Sequence, residues 1–350
     1  MMPHRHCGTG EKSGWRGWCR HGMIRLPTLR SRPSVQNLPV THDAFFRALM
    51  DEPGVAAAVL REHLPAEVAA LLAPEAPELL EAHFVAAHLR HSQADRLYRA
   101  RTLDGGELYI YVLLEHKSAP DPEVGVQLLG YLAEIWRRLD RQRLEQGGAV
   151  GSDRPPIVPL VIYHGAREWT VPLSFGETVA AYPALRPYLP DFRYALLDLG
   201  RVPDERLSDQ RVARGGLRVL KYSHRPDGQG AAVLAAVDDL LGSGILVSAF
   251  IYINWAYDAV DRRAIEGALA RAPDEQREAV MSVMAQERKQ GRIEGKAETL
   301  LRLLERRFHG VPEPYRARLL AADADQLDTW IDAVLEADSV DAVFGKPTAH

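Results

Sequence analysis

The sequence predicts an α/β fold, in which helices flank a central mixed β-sheet. Two strand-like segments support this fold, residues 107–115 and residues 157–163, and both are apolar almost throughout. Such runs are typical of strands that are buried on both faces of a sheet. An amphipathic helical pattern over residues 123–140 separates the two segments. Strands that alternate with helices in this way indicate a layered α/β domain.

Helical patterns precede the sheet. In THDAFFRALM, at residues 41–50, Phe45, Phe46 and Leu49 recur at helical spacing. A Pro-Gly pair at 53–54 then separates this helix from a second one over residues 55–64. A third, shorter helical piece ends before the next proline, and residues 78–87 fit either a helix or a strand.

A β-hairpin is predicted around the sequence DGG at residues 104–106. Glycine-rich pairs between strand-like runs are a strong hairpin signal. The first strand would span Leu97–Leu103 and the returning strand Glu107–Glu115. With the turn centred near Gly105, cross-strand pairing is expected to bring Asp95 close to Glu115 and Lys117.

The rest of the chain is predicted to be mostly helical, and its central part carries no recognisable chemical motif. We divide the chain into an N-terminal tail, a core, an extension and a C-terminal region. The tail, residues 1–40, is predicted to be disordered, and the core spans residues 41–200. A mostly helical extension follows over residues 201–283, and residues 284–350 form a linker helix and a small helical domain.

Composition narrows the classes of function. The 350 residues carry a net charge of −4, so no global basic field points to passive coating of nucleic acid. A local basic groove remains compatible with that charge. No apolar run approaches the roughly 20 residues that a membrane helix needs. The N-terminus lacks the pattern of a secretory signal, so we expect a cytoplasmic protein with no membrane partner.

The N-terminal tail contains both cysteines of the chain. The histidines and cysteines of this tail are candidate zinc ligands, but their spacing fits no standard zinc motif. Disorder is therefore the favoured prediction for the tail. Met23 is a candidate for the true start of the chain. The imagined zinc ligands are His4, His6, Cys7, Cys19 and His21.

Acidic and basic residues meet at the end of the predicted hairpin. Alternate side chains of a strand share a face, so Glu115 and Lys117 are expected to lie together, with Asp95 across the turn. Two neighbouring carboxylates repel each other unless a cation lies between them. Oxygen ligands of this kind favour Mg²⁺, with Mn²⁺ as a substitute, and suggest a phosphate-containing substrate. Lys117 could orient an attacking water or offset charge on the phosphate.

Asp95, the hairpin and then Glu115-His116-Lys117 together resemble the PD-(D/E)xK nuclease signature. Further segments, in order, resemble the Rpn family of recombination-promoting nucleases, also labelled "putative transposase". The resemblance is close over residues 41–175, moderate over 284–344 and faint between them. The segments are THDAFFRALMDEP, the LP of HLPAE, ADRLYR, YIYVLLEHKS, QLLGYLAEIW, VPLVIYHGAREW and GRIEGKAETLLRLLERRF.

The resemblance implies a restriction-endonuclease-like core and Mg²⁺-dependent cleavage of DNA. It implies that Asp95 and Glu115 bind the metal and that Lys117 acts on the nucleophile. Asp43 matches a helical acidic residue near the metal in related nucleases, and Gln127 matches a supporting polar residue of the catalytic site.

Two positions depart from the patterns. Ala94 stands where the nuclease signature has proline. The Rpn family often has glutamine at the position of Lys117, so the lysine brings this chain nearer to the commoner nuclease pattern.

Structural roles for the same residues stay open. Asp95 and Glu115 could be surface residues at strand ends, paired with Arg96, Arg99 or Lys117. Asp43 could serve the helix dipole, and Gln127 could be a structural or substrate-side contact. His116 is interpreted as a packed or hydrogen-bonded residue. His164 could be catalytic, but the favoured interpretation is a histidine at a strand end that is bonded to the backbone.

Alternative functions also stay open. One is a catalytically inactive module that binds DNA or protein on the same fold, and another is a nuclease that acts on RNA. Cleavage of both DNA strands needs two sites, so a homodimer with contacts through the C-terminal helices is expected. A local positive groove is expected from Arg96, Arg99, Arg101, Lys117, Arg137 and Arg138.

Overall fold

A computed structural model describes residues 41–80, 95–148, 153–180, 182–257 and 261–345. The imagined zinc ligands, the proposed tail, Met23 and Ala94 therefore lie outside the described residues. The described parts contain a five-stranded sheet with helices on both faces. Its strands are β1 (Glu78–Leu80), β2 (Arg96–Arg101), β3 (Glu107–Glu115), β4 (Ile157–Tyr163) and β5 (Ala195–Asp198).

The strands follow each other across the sheet in the same order as along the chain. β1, β2 and β3 pair antiparallel, whereas β3, β4 and β5 pair parallel. The sheet is therefore mixed, and β3 occupies its centre. The predicted fold class, a mixed sheet flanked by helices in a restriction-endonuclease-like α/β core, is confirmed together with the helical C-terminal region.

The hairpin of β2 and β3 differs from the prediction in its register. Arg96 lies opposite Val112, and Arg101 lies opposite Glu107, so the pairing is centred on Asp104. Continuing this register places Leu113, two residues before Glu115, opposite Asp95. A shift of two residues keeps every side chain on its predicted face because the side-chain period of a strand is two.

Helices form the outer layers and the C-terminal region. No described helix has both the length and the apolarity that a membrane span requires. The helices are α1 (His42–Met50), α2 (Val55–His63), α3 (Ala66–Ala69), α4 (Val124–Glu145), α5 (Phe175–Thr178), α6 (Arg211–Tyr222), α7 (Gln229–Leu240), α8 (Leu246–Ala256), α9 (Arg262–Leu269), α10 (Asp274–Phe308), α11 (Glu313–Leu320), α12 (Ala324–Glu336) and α13 (Val340–Phe344).

One face of the central strand is covered by α4. Tyr111 and Leu113 of β3 belong to the same buried cluster as Leu128, Tyr131 and Ile135 of α4. The i, i+3, i+7 spacing of the helical residues explains why this stripe of α4 faces the sheet. The chain therefore leaves the end of β3 and returns over it as a helix.

The opposite face of the sheet packs against helices that precede the strands in the chain and against helices that follow them. Ile110 and Val112 of β3 share a cluster with Phe46 of α1. Leu217 of α6 and Ile253 of α8 belong to it as well. Residues beyond 200 thus contribute to the same core as the sheet, and the boundaries of the four proposed segments stay a prediction.

The C-terminal helices have a separate core. Leu300 and Leu304 of α10 pack with Leu319 of α11, Leu327 of α12 and Phe344 of α13. Asp323 caps α12, and Gln326 completes a reciprocal capping box with it.

Candidate functional site

Glu115 is the last residue of the central strand, and it is buried although its side chain is acidic. Only 6% of its surface is exposed. Its Oε1 accepts a hydrogen bond of 3.0 Å from the backbone N–H of Lys117. Because buried carboxylates are rare unless they are paired or bind a cation, this position calls for a specific role.

Asp95 precedes β2 and lies against the tyrosines between the sheet and α4. The Tyr111 hydroxyl donates a hydrogen bond of 2.8 Å to Oδ2 of Asp95. Tyr131, whose ring centroid lies 4.8 Å from that of Tyr111, is hydrogen-bonded to Asp95 as well. Oδ1 of Asp95 is buried, and among the described residues it has no hydrogen-bond partner.

The environment of Asp95 changes its acidity. Burial raises the pKa of Asp95 to about 7, and the hydrogen bonds from Tyr111 and Tyr131 partly oppose that rise. The negative charges of Asp43 and Glu115 raise this pKa further. The structure thus brings together the three predicted acidic ligands, Asp43, Asp95 and Glu115, closely enough to interact electrostatically.

Asp43 occupies the first turn of α1, a helix capped by the Thr41 side chain through a 3.1 Å hydrogen bond from the Ala44 N–H. A carboxylate there is favoured by the helix dipole. The same carboxylate lies 4.0 Å from Nδ1 of His116. The position of Asp43 is therefore compatible with both proposed roles, one at the helix N-terminus and one as a metal ligand.

Lys117 lies at the edge of this group. Its ammonium group donates a hydrogen bond to the Asp121 carboxylate, and 55% of its side chain is exposed. The hydrogen bond to Asp121 raises the pKa of Lys117, and the charge of Glu115 adds to the rise. The lysine is charged and near the acids, and its ammonium group is held by Asp121.

Gln127, in the first turns of α4, does not contact the acids through any described hydrogen bond. Its Nε2 donates to the Tyr131 hydroxyl over 3.3 Å. Since Tyr131 is hydrogen-bonded to Asp95, Gln127 is linked to the acidic group through that tyrosine.

A cluster of histidines lies beside the acids, and the sequence did not predict it. His42, His164 and His224 place ligand atoms within 4.8 Å of one another. The ring of His116 stacks on that of His42 at a centroid distance of 5.3 Å. His42 precedes Asp43 in the chain, and His116 follows Glu115, so the acids and the imidazoles share the same backbone segments.

The histidines of this cluster are neutral at pH 7. Burial, followed by the neighbouring His116 and His224, lowers the pKa of His42 to about 4. Burial likewise depresses the pKa of His164 well below its usual value and lowers the pKa of His224. Such imidazoles keep one unprotonated nitrogen each.

The interpretation of His164 as bonded to the backbone was wrong. Nδ1 of His164 lies 3.2 Å from Oγ of Ser223, a side-chain partner at the end of α6. This contact could not be predicted from the sequence, because Ser223 is 59 residues away in a segment without a chemical motif.

Comparison with known families places the chain in one of them. Residues 40–244 match the profile of the family described as "Putative transposase, YhgA-like". The chain belongs to this family. The matched residues include Asp43, Asp95, Glu115 and Lys117, the three histidines of the cluster, and His116.

Three curated relatives of this YhgA-like chain come from Escherichia coli. The chain is 29% identical over 258 residues to recombination-promoting nuclease RpnA of strain K12, which covers 71% of this chain and 84% of that protein. It is 28% identical over 174 residues to recombination-promoting nuclease RpnD of O157:H7, covering 49% and 63%. It is also 28% identical over 284 residues to the inactive recombination-promoting nuclease-like protein RpnE of strain K12, covering 76% and 90%. No solved structure matches the chain.

The cations expected to form a groove in this YhgA-like chain are mostly paired within it. Their charges are therefore largely offset by neighbouring carboxylates, which weakens the expectation of a positive groove built from these residues. The ion pairs are Arg96 with Asp51, Arg99 with Glu78, Lys117 with Asp121, and Arg137 and Arg138 with Glu134.

Proposed function

We propose that the protein is an Mg²⁺-dependent endonuclease that hydrolyses phosphodiester bonds of DNA and acts in recombination or in mobile-element activity. The observation that carries this proposal is Asp95, a buried carboxyl with a raised pKa and one unbonded oxygen, beside Asp43 and Glu115. Relatives that are named recombination-promoting nucleases also support a nuclease function.

The chemistry of the acidic residues supports a divalent cation as the ligand. Oδ1 of Asp95 is buried without a described hydrogen-bond partner, so a cation would satisfy an oxygen that is costly to leave bare. The donors Asp43, Asp95 and Glu115 are all carboxylates, and Mg²⁺ and Mn²⁺ prefer oxygen ligands. A bound ion would also offset the mutual repulsion of the three charges.

The residues around the acids would prepare the site. A bound Mg²⁺ supplies charge for the phosphate oxygens and lowers the pKa of a water. Tyr111 and Tyr131 hold Asp95 in place by hydrogen bonds, and Gln127 in turn contacts Tyr131. Lys117, released from Asp121, would orient the attacking water or offset charge on the phosphate.

An inactive binding module on the same fold is the second candidate. The relative RpnE is named inactive although it aligns with 76% of this chain. Against this candidate stands the presence of Asp95, Glu115 and Lys117 in one chain. Tight DNA binding without metal-dependent cleavage would favour the module.

A plasmid-cleavage assay tests the proposal. Wild-type protein with Mg²⁺ is expected to nick or linearise supercoiled DNA, and Asp95→Asn and Glu115→Gln are expected to reduce the rate at least about 100-fold. Glu107→Gln is the matched control, because Glu107 is an exposed carboxylate at the other end of the same strand. Equal cleavage by all variants would reject the site, and cleavage of RNA alone would reassign the substrate.

Homodimerisation is a further part of the proposal, because a cut through both strands requires two sites. Leu320 and Leu335, on the C-terminal helices, are 78% and 64% exposed. Light scattering on wild type and on the double variant Leu320→Glu, Leu335→Glu tests this contact. A monomeric wild type rejects it. The cytoplasmic location stays a prediction.

A further inference from the structure

Three histidines converge from three separate elements beside the acidic group. His42 begins α1, His164 follows β4, and His224 follows α6. Their candidate ligand atoms all lie within 4.8 Å of one another. Three imidazoles seldom meet so closely without a reason, because each brings a polar nitrogen that must be satisfied after burial.

His164 is held in the tautomer that can bind a metal. Oγ of Ser223 donates its only proton to the Leu220 carbonyl over 2.7 Å, so it can only accept from Nδ1 of His164. The proton of the neutral ring is therefore on Nδ1, and Nε2 carries a lone pair. His164 is fully buried, and its Nε2 has no hydrogen-bond partner among the described residues.

His224 is held in a ligating form as well. Its Nε2 lies 3.1 Å from the backbone carbonyl oxygen of His116, which can only accept a hydrogen bond. Nδ1 of the neutral ring therefore carries the lone pair. Nδ1 of His42 lies 2.6 Å from the Tyr252 hydroxyl, and when Nδ1 donates in this contact, Nε2 carries the lone pair for a ligand. Each ring thus has one nitrogen engaged by a protein group, the arrangement that orients metal-binding histidines.

We propose that His42, His164 and His224 form a binding site for a nitrogen-preferring transition-metal ion, with Zn²⁺ as the representative, separate from the carboxylate group. Imidazole nitrogens suit Zn²⁺, whereas Mg²⁺ prefers oxygen. Three histidines are a known ligand set for zinc, and they leave the fourth tetrahedral position to water or another ligand. Zn–N distances of about 2.0 Å require nitrogens about 3.3 Å apart, so the ring nitrogens would approach one another by at most about 1.5 Å.

The proposed ion would cross-link the chain segments that surround the site. It would link the start of α1, the end of β4 and the end of α6, and, through the His224 bond, the loop after β3. Asp43 and Glu115 lie next to His42 and His116 in these segments. The proposal does not depend on nuclease activity, since a module without catalysis would hold the same ion.

Zinc binding is measured on the full chain without a polyhistidine tag, after chelator treatment and dialysis, by competition with a zinc-binding dye. A tail-substituted chain, in which five N-terminal residues are replaced by serine, removes other candidate ligands. It is expected to bind one Zn²⁺ per chain, and Co²⁺ in its place is expected to give the visible absorption of a tetrahedral nitrogen site. The replaced residues are His4, His6, Cys7, Cys19 and His21.

Variants locate the ion. In the tail-substituted chain, His224→Gln is expected to weaken Zn²⁺ binding at least about 100-fold, and Ser223→Ala about tenfold, through the loss of a supporting bond. His309→Asn, at an exposed histidine after α10, is the matched control and should bind like the parent. Circular dichroism verifies that each variant is folded.

Several outcomes would overturn the proposal. They are a parent chain that binds no Zn²⁺, a folded His224→Gln variant that binds it unchanged, or displacement of Zn²⁺ by millimolar Mg²⁺. Loss of Zn²⁺ in Glu115→Gln would place the ion among the carboxylates instead. Retention of Zn²⁺ by Glu115→Gln together with loss of DNA cleavage would support two separate sites.

Discussion

The Tyr111 hydroxyl donates a 2.8 Å hydrogen bond to the Asp95 carboxylate, across the side of the sheet that α4 covers. Asp95 is thereby held by a residue of the central strand, although it lies just outside the ladder itself. Because the bond favours the ionised carboxylate, Tyr111 opposes the effect of burial on the pKa of Asp95. The tyrosine therefore adjusts both the position and the charge of the proposed ligand.

Tyr111→Phe is expected to weaken metal binding. Removing the hydroxyl removes a hydrogen bond to the charged form, so the pKa of Asp95 rises above about 7 and the carboxyl is more often protonated at neutral pH. A hydrogen bond to a charged group contributes about 1.5–3 kcal/mol, which corresponds to a loss of about tenfold or more in Mn²⁺ affinity. Titration calorimetry measures the Mn²⁺ affinity of both proteins. Tyr109→Phe, on the same face of β3, is the control, and an equal loss there would contradict a specific role for Tyr111.

The affinity for Mg²⁺ or Mn²⁺ is expected to depend on pH through Asp95. With a pKa of about 7 in the metal-free protein, Asp95 is mostly protonated below that pH, and a cation must displace the proton. The affinity should therefore fall by about tenfold for each unit that the pH drops below 7, and level off above it. Calorimetry in buffers of different ionisation enthalpy checks the release of the proton. A constant affinity between about pH 5.5 and 7 would contradict the raised pKa.

Local patterns predicted most of the fold. The first helix, the hairpin strand Glu107–Glu115 and the second buried strand follow from helical spacing, turn residues and apolar runs, and the structure contains them. β5 was not predicted because Ala195–Asp198 is too short to show a period. The register was displaced by two residues because the composition of DGG does not fix which residue is the centre of the turn.

The acidic residues of the candidate site could be found in the sequence, and the histidines could not. Asp95 and Glu115 lie at the ends of one hairpin, so strand pairing relates them. His42, His164 and His224 come from segments 60 or more residues apart, and only the tertiary packing of α1 and α6 around the sheet brings them together. The pairing of expected groove cations with carboxylates, such as Arg96 with Asp51, also depends on tertiary contacts.

Gly165→Ala is expected to disturb the loop that carries Lys117. A Cβ at Gly165 would lie 2.2 Å from the Lys117 carbonyl oxygen and 2.3 Å from the Tyr163 hydroxyl, too close without a backbone shift. Overpacking of this kind costs about 1–3 kcal/mol, measurable by urea unfolding. Gly130→Ala, inside α4, is the control, because its Cβ would meet nothing within 4 Å and alanine favours a helix. Unchanged stability and cleavage in Gly165→Ala would show that the two loops can separate freely.

Asp121→Asn and Lys117→Met separate the structural and catalytic parts of the Lys117–Asp121 ion pair. An ion pair with an exposed lysine contributes at most about 1 kcal/mol, so neither change should alter stability by more than that. Asp121→Asn removes the main cause of the raised pKa of Lys117 and frees the ammonium group to turn towards the acids. We expect it to retain plasmid cleavage, whereas Lys117→Met should lose about 10²–10³-fold in rate with Mn²⁺ affinity unchanged. If Asp121→Asn loses cleavage as fully as Lys117→Met does, the pair itself, and not the free lysine, is what the reaction needs.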